Sequence, residues 1–503
     1  MDEHGPDPSV GYWASADDPK GELAPLYYTA RVGKKYVQAT TLPMLFAAYP
    51  LYELGGTRAA LLLPMAGAVL CALAARALAR RAGGDPRTSW IAFWVVGVAT
   101  PILLYAVSFW EHTLGVAAML WAIAFAIDRA RGDGGWTRAL WAGVLFGAAA
   151  TMRTEALVYL AVSGLIVLAM LVSRREQFAR IVTAGIAVAG GFVTVVVANH
   201  ALEVLTLGGA IRASRTTGTA TASAGMLAYR AKAALTSIVG LNGFTMTVDW
   251  FVGGVVVLLV IGATVCLASG SGTRQRLGGA LAAIALLCYL LRFDAGVGYV
   301  PGLLVACPIA AAGLATCRRS STTQLFAAFA LLPIPILWVT QFLDSQRFQW
   351  GYRFALTSAV LLTVVAVVGL ARVPHALVAV VALSLVVTTF GIVFLVERTH
   401  SIADGMDTLV ARHDDVLISM DVHLFREGGA FYTLDRKWLT ATTPAQVERA
   451  VDTAHDHDAR RIAVVAGTDI RLPSRLGAYT KTQHATVEFR PGETAQVVEY
   501  HAP

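Results

Sequence analysis

The feature that most constrains this chain is a long series of apolar segments, each about as long as a helix that crosses a bilayer. The hydrocarbon core of a membrane takes about 20 residues of helix. The sequence therefore predicts about twelve membrane-spanning helices, at residues 57–79, 88–108, 113–128, 137–152, 156–173, 181–202, 250–269, 277–291, 296–316, 323–342, 352–371 and 375–396. Only 15% of the 503 residues are charged, against about 25% in soluble proteins. This favours a polytopic α-helical membrane protein.

The loops between these segments alternate between arginine-rich and arginine-poor sequences. Because arginine-rich loops stay on the cytoplasmic side, ARALARRAGGDPR, DRARGDGGWTR and SRREQFAR are predicted to be cytoplasmic. Both termini, the junction at 111–113 and the long loop 203–249 then lie outside. The chain has 34 Arg and 6 Lys, a ratio that indicates a GC-rich bacterial genome. We predict a multi-pass protein of a bacterial plasma membrane, with extracytoplasmic N- and C-terminal segments.

Residues 1–56 are predicted to form an external first loop, ahead of a membrane domain at 57–396. Residues 42–54 are apolar but too short to span, which favours an interfacial or re-entrant helix. The polar, acidic segment 1–40 has no apolar helix before it to carry it across the membrane. We therefore expect that a first transmembrane helix is missing upstream of Met1.

Residues 397–503 differ in composition and predict a small extracytoplasmic α/β domain. VLISMD and RIAVVAG are typical of buried strands, and ATVEF and AQVVEYH flank a hairpin signal, RPGET. Thr443, Pro444 and Gln446 form a helix-start signature ahead of an apolar stripe. His455 and His457 are better explained by a solvated helix end than by a metal site.

The stretch SFWEHTLG places Glu111 and His112 between two apolar segments. A tight turn is one explanation, although Gly, Asn or Ser would form such a turn more readily. The alternative is an acid/base or hydroxyl-binding pair enclosed by Phe109, Trp110 and Leu114, because burial raises the pKa of a carboxyl group and an imidazole can oppose this. The residues alone leave both explanations open.

Arginines interrupt the positive-inside trend at several places on the predicted outer face. Arg153 and Glu155 form either a local ion pair or a site in which the arginine binds a lipid phosphate. Arg212 and Arg215 lie in the long external loop. Further along, Trp350 and Arg353 stand at the start of a late helix. An anionic ligand at the outer leaflet would suit these cations, while ordinary interfacial arginines are the alternative.

Taken in order, several motifs over residues 20–370 resemble those of the GT-C membrane glycosyltransferases, including mannosyl- and arabinosyltransferases. The similar stretches are GKKYVQATTLPMLFAAYPLYELGG, SFWEHTLG, GVLFGAAATMRTEALVYL, NHALEVLTLGGAIRASR and FQWGYRFALTSAVLL. The resemblance implies transfer of a hexose or pentose from a polyprenyl-phosphate donor, with inversion, to an envelope glycan, lipid or protein. It leaves the use of a divalent metal open.

The resemblance also implies roles for individual residues. Glu111 and His112 match a second-loop catalytic position, and Asp2 or Glu3 is the nearest candidate for the first-loop acid. The proposed substrate- and carrier-phosphate-binding residues are Arg153, Glu155, Arg212, Arg215, Trp350 and Arg353. The chain has no nucleotide-binding motif, so we predict no nucleotide cofactor. The predicted partners are the lipid-linked donor, its acceptor and membrane lipids, with no nucleic acid.

Two other functions fit parts of the sequence. A transporter or flippase for lipid-linked glycans would need no external acid, but the inverted repeats typical of such proteins are not evident. A non-catalytic membrane scaffold would bind its partner through residues 397–503. Such a scaffold would tolerate the loss of Glu111, whereas a transferase would not.

Overall fold

The structure is a computed structural model that describes residues 9–10, 12–24, 30–32, 35–37, 41–209, 224–242, 248–292, 300–340, 350–421, 437–490 and 493–503. The chain divides into two compact units. The membrane unit comprises Thr40–Leu202 and Thr219–Phe394. The sheet unit comprises Met1–Ala39, Glu203–Gly218 and Leu395–Pro503.

Helices make up most of the described chain ahead of the sheet domain. They are α1 Leu42–Ala60, α2 Leu62–Arg81, α3 Pro86–Val98, α4 Ile102–Ala106, α5 His112–Arg131, α6 Gly135–Met152, α7 Ala156–Ser173, α8 Phe178–Leu207, α9 Ala224–Val239, α10 Trp250–Leu267, α11 Gly272–Arg292, α12 Leu303–Ala306, α13 Pro308–Thr316, α14 Ser321–Leu331, α15 Pro333–Thr340, α16 Leu356–Leu370 and α17 Pro374–Val410. Short 3₁₀ turns at Cys317–Arg319 and Arg353–Ala355 join α13 to α14 and precede α16. The fold class is therefore helical, as the apolar segments predict.

Within the described residues, nine helical segments are long and apolar enough to cross a membrane. Three of the twelve predicted spans are not among them. The predicted span 88–108 is broken between α3 and α4, where Pro101 follows the end of α3, and 296–316 is broken at Cys307 ahead of Pro308. Proline removes a helical N–H and disfavours helical backbone in the residue before it. The third, α6, begins with a more polar first turn that includes Thr137 and Arg138.

The short apolar segment predicted at 42–54 is part of α1, which continues to Ala60. Gly55 and Gly56 leave helical geometry inside α1, and Gly56 has φ +65°. Because a side chain disfavours positive φ, glycine permits this kink before α2 begins at Leu62. The kink separates the short segment from the first long apolar helix.

Small residues allow α6 and α8 to approach closely. A Cβ atom on Gly147 would lie 2.9 Å from the Phe192 carbonyl oxygen, and one on Gly191 would lie 2.5 Å from the Leu140 carbonyl oxygen. Close backbone contact of this kind is how membrane helices associate. The glycine-rich stretch of α8 is therefore a packing surface.

The C-terminal domain contains the sheet that the sequence predicts. Its strands are β6 Val416–Ser419, β7 Lys437–Thr440, β8 Arg461–Gly467, β9 Arg475–Leu476, β10 Tyr479–Arg490 and β11 Glu493–His501, in the order β7-β6-β8-β11-β10-β9. Strand β6 is parallel to β7 and β8, and the remaining pairs are antiparallel. Shorter strands elsewhere are β1 Ser9–Val10, β2 Ala30–Val32, β3 Lys35–Val37, β4 Leu241–Asn242 and β5 Val248–Asp249.

The helix predicted after Thr443 is α18, Pro444–Asp456, and its N-terminus is capped as expected. The Thr443 hydroxyl oxygen accepts from the Gln446 backbone N–H at 3.3 Å. The Gln446 side chain reaches back one residue further than a standard capping box, because its Oε1 accepts from the Thr442 backbone N–H at 2.9 Å. Val447, Ala450 and Val451 then face the sheet core.

Residues 12–24 belong to the core of this same domain, which the sequence did not predict. Tyr12, Ala14 and Leu23 are buried with the apolar residues of the sheet and α18. The Thr440 backbone N–H donates to the Leu23 carbonyl oxygen at 2.9 Å. His457 pairs with Asp17, with 2.8 Å between Nε2 and Oδ2. This histidine therefore ties the N-terminal segment to the end of α18.

Candidate active site

Two chain junctions meet at one end of the packed helices α5, α6 and α7. Glu111 immediately precedes α5, while Arg153 ends α6 and Glu155 precedes α7. Because α5 and α6 are consecutive helices that pack side by side, the start of one lies beside the end of the other. The sequence predicts that both junctions face the same side, and the structure brings their side chains into contact.

Arg153 stands at the centre of this contact. Its Nε lies 2.6 Å from Glu155 Oε1, and its Nη1 lies 2.8 Å from His112 Nδ1. Glu111 is more distant, with its Oε1 3.8 Å from Arg153 Nη1. All four side chains are buried, and Glu155 is only 1% exposed. We call Glu111, His112, Arg153 and Glu155 the Arg153 cluster.

His112 faces the same guanidinium nitrogen with both of its ring nitrogens. Arg153 Nη1 lies 2.8 Å from Nδ1 and 3.4 Å from Nε2. An arginine N–H donates and never accepts, so the imidazole accepts in this contact. Its ring also lies against Tyr105 and Trp110, with centroids 4.9 and 5.5 Å apart.

Gly115 makes room for the arginine. It lies one turn into α5, and a Cβ atom there would be 2.5 Å from Arg153 Cγ. The neighbouring Thr113 fixes the start of the same helix, because its hydroxyl donates to the Pro64 carbonyl oxygen of α2 at 2.8 Å. The close approach of Arg153 thus explains why a glycine ends the stretch SFWEHTLG.

The Arg153 cluster retains hydrogen-bonding capacity within the described part of the chain. Glu111 Oε2, Glu155 Oε2 and Arg153 Nη2 are buried there and have no hydrogen-bond partner. Buried polar groups are normally paired, since an unpaired one costs free energy. These atoms can therefore serve a bound ligand that offers both a donor and acceptors.

The late motif QWGYRF contributes to the same region through Phe354. The Arg153 guanidinium lies 5.3 Å from the Phe354 ring centroid, and the Arg353 guanidinium lies 4.9 Å from it. Two arginines that the sequence predicts from separate motifs therefore both lie against the Phe354 ring. Cations are attracted to the faces of such rings.

Trp350, the tryptophan of the same motif, packs inside the helical unit. Its ring is buried, 6.1 Å from the ring of Phe394, and a Cβ atom on Gly391 would lie 2.8 Å from Trp350 Cε2. Its backbone carbonyl oxygen accepts from the Tyr105 hydroxyl at 3.2 Å. Trp350 therefore anchors the motif in the helix core.

Sequence reasoning missed Tyr105, Tyr352 and Phe354. Tyr352 is buried, and among the described residues its hydroxyl has no hydrogen-bond partner. Both Tyr352 and Phe354 flank Arg353 in the motif already singled out, so that motif could have indicated them. Tyr105 lies in an apolar run and gave no signal. The predicted site residues Asp2, Glu3, Arg212 and Arg215 lie outside the described residues.

The Arg153 cluster does not fit a divalent metal. The guanidinium lies between the two carboxylates and would repel a cation. Among the described residues, no group of three or more His, Cys, Asp or Glu side chains could hold a metal ion. The chemistry of the cluster is therefore that of hydrogen bonds and charge.

The fold defines a polytopic helical membrane protein with a small C-terminal sheet domain, and the described site is a buried ionic cluster at one end of its helices. No protein-family model matches the chain, and no curated protein sequence matches it.

Some solved structures are similar in fold. ArnT from Cupriavidus metallidurans, bound to undecaprenyl phosphate, has a TM-score of 0.42 and 14% identity, covering 98% of this chain and 94% of that one. The oligosaccharyltransferase of Archaeoglobus fulgidus, in complex with Zn and sulfate, has a TM-score of 0.40 and 11% identity over 86% of this chain. The chain spans 60% of the length of that oligosaccharyltransferase. Similarities this distant assign neither a family nor an activity.

Proposed function

We propose that this protein is a membrane glycosyltransferase that moves a sugar from a polyprenyl-phosphate donor to a glycan, lipid or protein acceptor of the cell envelope. The observation that carries this proposal is the Arg153 cluster. Its four side chains are buried, and among the described residues three of them keep a polar atom without a hydrogen-bond partner. The motif resemblance supports the same reaction. The proposed location is a bacterial plasma membrane, with the cluster on the outer face.

The proposed reaction is a direct displacement at the anomeric carbon. A bond forms between the acceptor oxygen and that carbon as the bond from the carbon to the carrier phosphate oxygen breaks. The phosphate leaves with the electron pair, and the acceptor proton passes to a carboxylate. Attack opposite the leaving phosphate inverts the anomeric configuration.

The described residues suit this division of roles. Glu111 Oε2 is the proposed acceptor of the hydroxyl proton, and Arg153 Nη2 the proposed donor to the leaving phosphate, whose charge it stabilises. His112 and Glu155 hold the guanidinium in place. Arg353 supplies a second positive charge beside Phe354.

Other proposed roles concern residues outside the described part of the chain. Arg212 and Arg215 are proposed to approach the head group of the carrier. Asp2 or Glu3 is the alternative general base, from the first external loop. Within the described part, Trp350 is proposed to hold the late motif against the site through its backbone contact with Tyr105.

The proposal is tested by complementation of a deletion strain, followed by mass spectrometry of envelope glycans and lipid-linked sugars. The strain would carry wild-type protein, Glu111→Gln, or the matched control Glu53→Gln, which replaces an exposed glutamate. We expect Glu111→Gln to be made in the membrane but to reduce transfer by about 10²–10⁴-fold, the usual contribution of a general base. The lipid-linked donor should then accumulate.

Three outcomes distinguish the functions. Loss of one sugar from a glycan, with rescue by Glu53→Gln, supports the transferase and identifies the sugar by mass. Full rescue by Glu111→Gln contradicts Glu111 as the general base, and full rescue also by Asp2→Asn and Glu3→Gln contradicts the transferase and favours a scaffold. Lipid-linked glycan that accumulates on the cytoplasmic leaflet, with transfer intact in lysed membranes, favours a flippase.

A further inference from the structure

A groove of about 740 Å³ runs between α2, α5 and α6, separate from the Arg153 cluster. One wall is a single face of α5, formed by residues spaced three or four apart, from Leu114 to Phe125. The opposite wall is α6, with Trp141 and Leu145. Its volume is within the range of about 300–1,000 Å³ for ligand sites. The groove is therefore large enough to hold an apolar chain.

One end of the groove is charged. Arg138 lies there together with Thr137, and its guanidinium carbon is 4.9 Å from the Phe125 ring centroid. Arg138 remains 42% exposed. This end is the end of α5 remote from Glu111, since the 20 residues of α5 extend about 30 Å. The arginine-rich loop DRARGDGGWTR predicts that it is the cytoplasmic end.

The charge of Arg138 is only weakly compensated. Among the described residues, Asp128 is the acid within 4 Å of its guanidinium, with 3.9 Å between Arg138 Nη1 and Asp128 Oδ2. Both oxygens of Asp128 are already engaged by Arg81, at 2.7 Å and 2.6 Å. Arg129 and Arg131 add positive charge at the end of α5, against the single acid Asp133 that follows it. This end of the groove is therefore electropositive.

We propose that this groove binds an anionic phospholipid of the cytoplasmic leaflet. Its phosphate would be held by Arg138, and an acyl chain would lie along the apolar face of α5. Basic pockets between membrane helices on the cytoplasmic side are suited to anionic lipid head groups. Trp136 and Trp141, which are 57% and 56% exposed, lie near the start of α6 beside Arg138, and tryptophan favours the head-group level of a membrane.

Two local features shape the groove: one leaves room for Arg138 and the other fixes part of the wall. Gly134, at φ +78°, has no side chain, and a Cβ atom there would collide with Arg138 Cγ. Trp121 forms part of the wall through a hydrogen bond from its Nε1 to the Leu70 carbonyl oxygen at 3.2 Å. The groove is thus built by hydrogen bonding and backbone geometry as well as by apolar contact.

The test is native mass spectrometry of the purified full-length chain, titrated with phosphatidylglycerol or with phosphatidylcholine of the same acyl chains. We expect wild type to bind phosphatidylglycerol more tightly. Arg138→Gln should weaken phosphatidylglycerol binding about fivefold, the effect of one arginine near a membrane surface. It should weaken phosphatidylcholine binding less, because the choline cation of that lipid already offsets the charge of its phosphate. Arg274→Gln is the matched control, because Arg274 is an exposed arginine in the first turn of another helix, α11.

A second variant tests the apolar part of the groove. Ala118→Phe should fill it and weaken binding of both lipids while Arg138 remains. Thermal unfolding in detergent checks that each variant is folded. Equal affinity of wild type for the two lipids, or unchanged phosphatidylglycerol binding by Arg138→Gln, would overturn the proposal and indicate annular lipid only.

Discussion

The two ends of α5 both carry buried or nearly buried ionic groups, but they differ in how completely those groups are paired. At one end Asp128 accepts two hydrogen bonds from Arg81 through both carboxylate oxygens. At the other end the Arg153 cluster leaves atoms of Glu111, Arg153 and Glu155 without a partner among the described residues. The comparison teaches that buried charge alone does not indicate a ligand site. Unused hydrogen-bonding capacity is the additional feature of the Arg153 cluster.

The largest effect is expected from Arg153→Ala. Removing one member of a buried ionic group leaves the others uncompensated, at a cost of about 3–5 kcal/mol. We expect a large fall in the unfolding temperature together with loss of sugar transfer. Arg153→Lys keeps the charge, so it should recover part of the stability without recovering transfer, because it lacks the guanidinium fork. Recovery of transfer by lysine would contradict the proposed phosphate contact.

Asp128→Asn should lower stability without changing sugar transfer. It removes a charge-assisted pair with Arg81 at the other end of α5, which is worth about 1–3 kcal/mol. We expect a lower unfolding temperature in detergent and normal glycan profiles in complemented cells. If this variant lost transfer while remaining folded, the distinction between the two ends of α5 would be wrong.

Gly115→Ala should displace Arg153 without removing it. The new methyl group would be placed 2.5 Å from Arg153 Cγ, and misplacement of a catalytic group is costly. We expect about a tenfold fall in transfer together with a loss of stability of about 1–3 kcal/mol, the usual cost of overpacking a buried site. Gly254→Ala is the control, since its new methyl group would point into open space, with no neighbouring side chain within 4 Å. Equal activity of the two variants would argue against a tightly positioned guanidinium.

The smallest effect concerns Asp414, an acid of the sheet domain. Burial raises the pKa of its carboxyl group, and the nearby Glu499 carboxylate adds to the rise. The folded state therefore binds a proton more readily than the unfolded state, so this group's contribution to stability falls as pH rises from the ordinary pKa through the raised one.

Asp414→Asn removes that pH-dependent penalty. We expect the domain to be more stable than wild type at neutral pH, by up to about 1 kcal/mol, and the difference to shrink at about pH 4, near the ordinary pKa of an aspartate. Hydrogen exchange of β6 and β8, compared between the two proteins at each pH, measures this. Greater protection in wild type at neutral pH would show that the Arg412 contact dominates instead.

Much of the fold was predictable from the sequence because membrane helices and amphipathic elements leave strong periodic signals. Among the described residues, nine helices are long and apolar enough to span a membrane. Each of them overlaps an apolar segment that the sequence predicts to be a span. The Thr443 signature indicated the start of α18. The breaks near Pro101 and Pro308 were less evident, since apolar residues continue on both sides of each proline.

The site was predictable in its members but not in its contacts. Alternation of loops placed Glu111 and Arg153 on one side of the membrane, yet only packing of α5 against α6 and α7 brings His112 to Arg153. The contribution of Phe354 depends on the fold of a helix some 200 residues further along the chain. The packing of residues 12–24 into the sheet domain likewise depends on long-range contacts that no local pattern encodes.

The most direct test of the central claim, that the Arg153 cluster binds the carrier phosphate, is a titration of the purified full-length chain with undecaprenyl phosphate. Binding would be measured for wild type, Arg153→Lys and Arg274→Gln, which replaces an exposed arginine outside both proposed sites. We predict that Arg153→Lys binds at least about tenfold more weakly than wild type, while Arg274→Gln binds as wild type does. Equal binding by Arg153→Lys and wild type would contradict the account.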